Sequence, residues 1–305
     1  AMYSRNLVMA RGAAEIWTEV APDSEEARRV LAGLSGAGQQ AALQLVEAES
    51  ENLRSGWRYA VDATLPALID QYVPGLFHFY NLRGWSQEGA HLFALAIDGV
   101  RRAATAHQAD AAKALGALLI HQAEFYHRLS RLATAQSLLA EALPLVEQHN
   151  RPGEVGFALN ALGYNAYMRG DYAEARTHYD LALAHYRVLA QPAGIATVLN
   201  NLGNVAAALD PSPTYVEAHA LYSESITLAR ATGNLQELAR GLLNLGTIAH
   251  VNKAYAEARY YYEESSRTAA HIRSQRLHAI SLTNLGDILL QLHELPAAQK
   301  ALEEA

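Results

Sequence analysis

The sequence predicts an all-α fold: an α–α superhelix, a solenoid of antiparallel helix pairs with a period of about 40 residues. Three observations carry this. One phrase recurs as Asn160-Ala161-Leu162-Gly163, Asn200-Asn201-Leu202-Gly203, Leu243-Asn244-Leu245-Gly246 and Thr283-Asn284-Leu285-Gly286, with its glycines 40, 43 and 40 residues apart. A second phrase follows each copy: Tyr172-Ala173-Glu174-Ala175, Tyr215-Val216-Glu217-Ala218, Tyr255-Ala256-Glu257-Ala258 and Leu295-Pro296-Ala297-Ala298. Alanine is abundant and β-branched residues are sparse, which favours helix.

Along the chain, residues 3–20 read as a helix with Leu7, Ala10, Ala14 and Trp17 on one stripe. Ala21-Pro22-Asp23-Ser24 breaks it, and Gly33, Gly36 and Gly38 mark a turn without the spacing of a dinucleotide fingerprint. A long helix follows from about Gln39 to Val61, so 1–65 is an N-terminal helical segment leading into the repeats. Six repeats then fill 66–305: 66–107, 110–149, 153–190, 192–233, 235–273 and a truncated 275–305, which stops inside its second helix and reads as a chain cut within a repeat. In the first, Gly89, Phe93 and Ala96 take the places of Ala175, Tyr179 and Ala182; in the second, Ala123, Ala135, Leu139 and Ala142 match Gly163, Ala175, Tyr179 and Ala182.

Each repeat reads as a helix A and a helix B. Leu159, Leu162 and Ala166 share one face, as do Leu199, Leu202, Ala206 and Leu242, Leu245, Ala249. A glycine inside a helix costs about 1 kcal/mol relative to alanine, so four at one phase imply close helix approach. Tyr179, Tyr222 and Tyr262 are expected to fill the gaps between units, and stacking supplies the core that one pair lacks. The fourth repeat carries three extra residues, placed at Asp210-Pro211-Ser212-Pro213 between its helices.

This small–large–small pattern resembles the tetratricopeptide repeat, in the longer-helix form of bacterial regulators and kinesin light chains; the family's usual period is about 34 residues. A second resemblance rests on Glu47-Ala48-Glu49-Ser50-Glu51-Asn52-Leu53-Arg54-Ser55-Gly56-Trp57-Arg58-Tyr59-Ala60 and on Leu76-Phe77-His78-Phe79-Tyr80-Asn81-Leu82-Arg83-Gly84-Trp85-Ser86-Gln87-Glu88-Gly89. Together these are similar to the junction where the nucleotide switch gives way to repeats in bacterial STAND-type signal-transduction ATPases, the MalT-like, LuxR-type and AfsR-like regulators. Tyr59 departs from that pattern, standing where the family has a second Trp. The resemblance implies a sensor arm that binds an activating ligand and relays its presence to an upstream nucleotide-switch domain. No G-x-x-x-x-G-K-[ST] phosphate loop occurs in the 305 residues.

Composition narrows the function. There is no cysteine, hence no disulfide and no thiolate metal site. A net charge of −7 argues against a nucleic-acid surface over the whole molecule. No apolar run approaches the roughly 20 residues of a membrane span. The start lacks a signal peptide's apolar stretch, and the expectation is a cytoplasmic protein.

The A helices line the groove of such a solenoid. With Gly163 as the packing position, the groove places include Phe157, Asn160, Ala161, Tyr164, Tyr167 and Met168, then Asn200, Asn201, Asn204, Ala207 and Ala208. Next come Arg240, Leu243, Asn244, Thr247 and His250, then Thr283, Asn284, Asp287 and Gln291, with His121, Glu124, His127 and Arg128 upstream. Asparagine carries donors and an acceptor, so a row of them suits the backbone of an extended peptide. The other reading is that they cap or link neighbouring A helices. For Asn160 both stand; three asparagines on one helix (Asn200, Asn201, Asn204) exceed structural need and favour binding; Asn244 and Asn284 are intermediate. Asn201, Asn204 and Arg240 approximate a carboxylate clamp whose lysines are missing. His121 and His127 lie about 600° apart around the helix and do not form a zinc-protease pair. No catalytic set is placed, so the expectation is a non-enzymatic domain without cofactor. It would bind a peptide, protein or small inducer in its groove, or serve as a stand-alone scaffold joining protein partners, with self-association possible through the cut last repeat.

Overall fold

The computed structural model describes residues 50–305 apart from 104–107, 211–214 and 273. The expected helix over 3–20, the Ala21–Ser24 break, the glycine turn and the first part of the long helix lie outside these residues. The described residues are all-α, with no strand among them, and divide into two compact units at Met168/Arg169.

The first unit holds α1 (Ser50–Asp62), α2 (Pro66–Arg83), α3 (Ser86–Ala103), α4 (Gln108–Arg128), α5 (Leu132–Gln148) and α6 (Pro152–Met168). Its core begins in the acidic phrase that resembles the regulators. Trp57 is 1% exposed, stacks on Phe93 at 5.7 Å and meets the edge of Tyr72 at 6.3 Å. It therefore wedges α1 against α2 and α3. Phe125 continues the cluster, 5.5 Å from Phe93, and lies over Gly89, where an added Cβ would come within 2.5 Å of its ring. Trp85 is more exposed, against Phe79, Tyr80 and the Arg54 guanidinium. Arg151, in the α5–α6 turn, joins three helices: it donates to Asp70 in α2, to the Lys113 carbonyl in α4 and to Glu154 in α6. Burial works against its charge, but Asp70 and Glu154 outweigh it and raise the guanidinium pKa.

The second unit holds α7 (Tyr172–Val188), α8 (Pro192–Leu209), α9 (Val216–Thr232), α10 (Leu235–Val251), α11 (Tyr255–His271), α12 (Gln275–Gln291) and α13 (Leu295–Glu304). Here α8, α10 and α12 are A helices and α9, α11 and α13 the B helices that follow them. Three residues separate α10 from α11 and α12 from α13, and six separate α8 from α9; Pro211, Ser212 and Pro213 of the expected insertion lie outside the described residues.

The repeated glycine has a specific neighbour. The Tyr222 ring lies over Gly203, and the Tyr262 ring over Gly246, where an added Cβ would stand 2.6 Å away; Leu302 covers Gly286 at 2.6 Å. The close approach is thus between glycine and the aromatic of its own helix B. The same ring also reaches the next repeat: Tyr222 clusters with Leu242, Leu245 and Ile248, and Tyr262 with Leu282, Leu285 and Ile288. A methyl group at Gly246 would gain about 1 kcal/mol of helix propensity. It would lose about 1–3 kcal/mol by forcing a ring that is 1% exposed, so packing wins and glycine stays. Three residues beyond each tyrosine, Ser225 donates to the Ala196 carbonyl at 2.7 Å and Ser265 to that of Ala239 at 2.8 Å, tying helix B to an A-helix backbone.

Helix ends follow one device. At Ala190 the N–H bonds to the Arg187 carbonyl and the next N–H to that of Tyr186, the paired 5→2 and 6→1 bonds of a Schellman turn. Thr64, Gly84, Ser130, Asn150, Gly233, Lys253 and His293 occupy the same left-handed position in their turns. N-terminal caps are supplied by Asp171, which accepts from Glu174 N–H, and Asn234, which accepts from Glu237 N–H.

Candidate functional site

The second unit brings most of the expected site residues together on α8, α10 and α12. Asn244 donates through Nδ2 to Asn200 Oδ1 and to Asn204 Oδ1, both at 3.1 Å. Asn204 Oδ1 also accepts from the Tyr222 hydroxyl at 2.8 Å. Arg240 donates to Asn201 Oδ1 at 3.1 Å and to Glu237 Oε1 at 2.9 Å. Glu237 is nearly buried, and the Arg240 side chain is 31% exposed, so the guanidinium is presented at the surface with its charge balanced from below.

The glycine passage explains how a helix B takes part. Because Gly203 has no side chain, the Tyr222 ring crosses beneath α8 and its hydroxyl emerges at the next residue, Asn204. One repeat on, Tyr262 passes Gly246 and reaches Thr247 Oγ1 at 3.4 Å. Burial raises the Tyr262 hydroxyl above its ordinary pKa, while its hydrogen bonds to Thr247 and Asn284 pull the other way. These tyrosines, read from the sequence as core fillers, are polar members of the site. The signal was present in the repeat alignment: an aromatic with a hydroxyl opposite a glycine that is followed by a polar residue.

The structure separates the asparagines that the periodicity grouped. Asn200 is fully buried and Asn201 is 6% exposed. Asn200 keeps its Nδ2 without a partner beneath Asn244. Asn204, Asn244 and Asn284 are half-buried and Asp287 is exposed. Asn204 Nδ2 and Asn244 Oδ1 form no hydrogen bond in the network, although the other atom of each amide is fixed. His250 is half-buried with its ring 6.2 Å from that of Tyr255.

In the first unit, α2, α4 and α6 carry a different surface. Phe77 stacks on His121 at 4.5 Å, Phe157 meets the edge of His121 at 5.2 Å, and Tyr164 meets His127 at 5.1 Å. Asn160, Tyr164 and Tyr167 are half-buried on α6. Burial lowers the His121 pKa to about 4; Glu124 opposes and Arg151 adds to that shift. Burial works to raise the Glu124 carboxyl, but the His127 hydrogen bond and the charges of His127 and Arg128 hold it below its ordinary range. Among the described residues, no group of three or more His, Cys, Asp or Glu could hold a metal ion. None of their helices is long and apolar enough to cross a membrane.

A fold of consecutive helix pairs with a glycine-to-aromatic contact at one phase is that of tetratricopeptide-type helical repeats. Three crystal structures have the same fold. One is BtubC (BKLC) from P. vanneervenii, at 18% identity and TM-score 0.57 over 72% of this chain and 88% of that one. A second is the signal transduction ATPase with numerous domains (STAND) protein with a tetratricopeptide repeat sensor from Pyrococcus horikoshii, at 17% identity and TM-score 0.57 over 94% of this chain. This chain spans 45% of that protein's length. A third is Rap protein complexed with Competence and Sporulation Factor, at 16% identity and TM-score 0.53 over 99% of both chains. No family model matches the sequence, and no curated protein matches it.

Proposed function

We propose that this chain is a non-enzymatic binding domain that takes an extended polypeptide segment on the A helices of its second unit. One observation carries the reading: Asn204 Nδ2 and Asn244 Oδ1 are a donor and an acceptor left open side by side, each amide held in orientation by Tyr222 and Asn200. A backbone peptide group presents one acceptor and one donor, and matches that pair without regard to side chain. Arg240, Asn284 and Asp287 extend the polar surface of the second unit, with His250 a further candidate contact there; Asn160, Tyr164 and Tyr167 are candidate contacts of the first unit by itself.

Asn204→Asp tests it cleanly. The carboxylate keeps an acceptor for Tyr222 and Asn244, and replaces the Nδ2 donor with a negatively charged acceptor that would face the peptide carbonyl. Peptides of eight residues, selected from a random library on the intact chain, should raise its melting temperature, as ligands of a native state do. They should bind the variant at least about tenfold more weakly, since the loss of one hydrogen bond of about 1.4 kcal/mol is joined by repulsion between the carboxylate and the peptide carbonyl. Selected peptides that bind both forms equally would sink the reading.

At a finer level, the chain is the sensor arm of a larger bacterial, cytoplasmic signal-transduction ATPase or transcriptional regulator. The phrases at 47–60 and 76–89 and the likeness to the STAND protein support this. The likeness to Rap over 99% of both chains favours a second reading, a stand-alone scaffold. Sequencing the gene on both sides decides between them: a phosphate-binding loop upstream in frame supports the arm, and its absence supports the scaffold.

A further inference from the structure

We propose that the A-helix face of the first unit holds a site for an arginine side chain, centred on Glu124 between His121 and His127 and offered by a bound polypeptide. The inference rests on the reading that the A helices bind polypeptide, and it adds the side chain that would give selectivity.

Glu124 lies three residues after His121 and three before His127, so the two imidazoles flank it on α4. Its Oε1 pairs with His127 Nδ1 at 3.4 Å, and its Oε2 forms no hydrogen bond, with the side chain 22% exposed. The His127 side chain is only 3% exposed, and its Nε2 has no partner. In the neutral tautomer that donates Nδ1–H to Glu124, that nitrogen is an acceptor without a donor. His121 Nδ1 is likewise buried and unpaired. Around these polar atoms stand the rings of Phe77, Phe157 and Tyr164.

The occupant must bring N–H donors, positive charge and a flat face. Charge agrees: Asp70, Glu124 and Glu154 supply three carboxylates here, Arg151 and Arg128 two guanidiniums, and Lys113 pairs with Asp110. Arg151 is held by Asp70 and Glu154, and the exposed Arg128 makes no hydrogen bond to Glu124. Glu124 Oε2 is therefore left without a hydrogen-bond donor. A guanidinium is planar, always charged, weakly hydrated and able to stack on aromatic rings while donating several hydrogen bonds. An ammonium is a strongly hydrated point charge that would lose its water to the rings.

The probes are N-acetyl-arginine amide, its neutral isostere N-acetyl-citrulline amide, and N-acetyl-lysine amide, titrated into the full chain with labelled histidine rings and followed by NMR. The arginine probe should move the His127 and His121 ring signals to saturation. Citrulline should bind about tenfold more weakly, lysine should fall between, and Glu124→Gln should abolish the arginine response with an unchanged thermal melt. Equal response to citrulline, persistence in Glu124→Gln, or no saturable shift would overturn the proposal; the citrulline comparison holds even if the variant fails to fold. Asn204→Asp lies in the other unit and should leave these shifts intact. An arginine site without peptide affinity at Asn204, and peptide affinity without an arginine site, are therefore separate results.

Discussion

His121 carries a pH dependence that its position dictates. In the unfolded chain its pKa is about 6.5, and in the folded protein burial lowers it to about 4. The unfolded state therefore binds more protons between these values. The stability from a neutral, buried His121 is complete above about pH 6.5 and is lost as pH falls toward 4. Urea unfolding at pH 7 and pH 4.5 should show a smaller loss for His121→Leu than for the parent; equal losses would refute the assignment. At this scale the sequence is legible in phase only. Leu162, Leu202 and Leu245 are buried as their period requires. The same period could not tell Asn201 from Asn204, because residues on a narrow polar face differ by a fraction of a turn and burial changes steeply across it. It also could not say which side chain fills the space over Gly246, since that depends on the Tyr262 rotamer on another helix.

Helices and turns were more legible, with one gap. The A and B helices fall where the recurring phrases place them, because propensity, spacing and apolar stripe agree there. The turns were less so. Gly84 and Gly233, and more weakly Asn150, announce the left-handed residue that closes a helix, but Thr64, Ser130, Ala190, Lys253 and His293 adopt the same conformation with no sequence signal. An L-residue there costs about 1–2 kcal/mol, and glycine returns about 0.5–1 kcal/mol through its freer unfolded chain. Ala190, at φ 47°, is the plainest case, since its methyl group has no polar compensation. Ala190→Gly should raise unfolding stability by about 0.5–1 kcal/mol in urea titration, and a loss would mean that the Cβ makes contacts worth more than the strain.

At the scale of the molecule, repetition did most of the work. Each helix pair buries its apolar face against its neighbours in sequence, so within a unit stability is close to a sum over adjacent interfaces. Ion pairs also cross between repeats at exposed positions: Arg101 with Glu141 in the first unit, Arg176 with Glu217 and Arg259 with Glu294 in the second. Pairs of this exposure contribute about 0–1 kcal/mol each and are screened by salt. Screening the three pairs by raising sodium chloride from low to molar concentration should therefore lower the stability of the chain by no more than about 3 kcal/mol. A larger fall would show that these pairs, rather than the tyrosine–leucine clusters, hold successive repeats together. What the repeat could not disclose is which surface binds, because the A-helix face is amide-rich in one unit and aromatic in the other while the packing phrase barely changes.

The tyrosine that passes a glycine has one more consequence. Its ring is rooted in a helix B and its hydroxyl ends beside the amide of Asn204, so the chromophore spans from helix B to the proposed binding face. On the proposed reading, occupancy of the Asn204–Asn244 pair would perturb the hydrogen bond of Tyr222 to Asn204 Oδ1, and with it the ring's near-ultraviolet circular dichroism. The proposed site would thereby carry a built-in optical reporter, through which an unlabelled ligand announces itself on one side of the helix pair and is read from a residue belonging to the other.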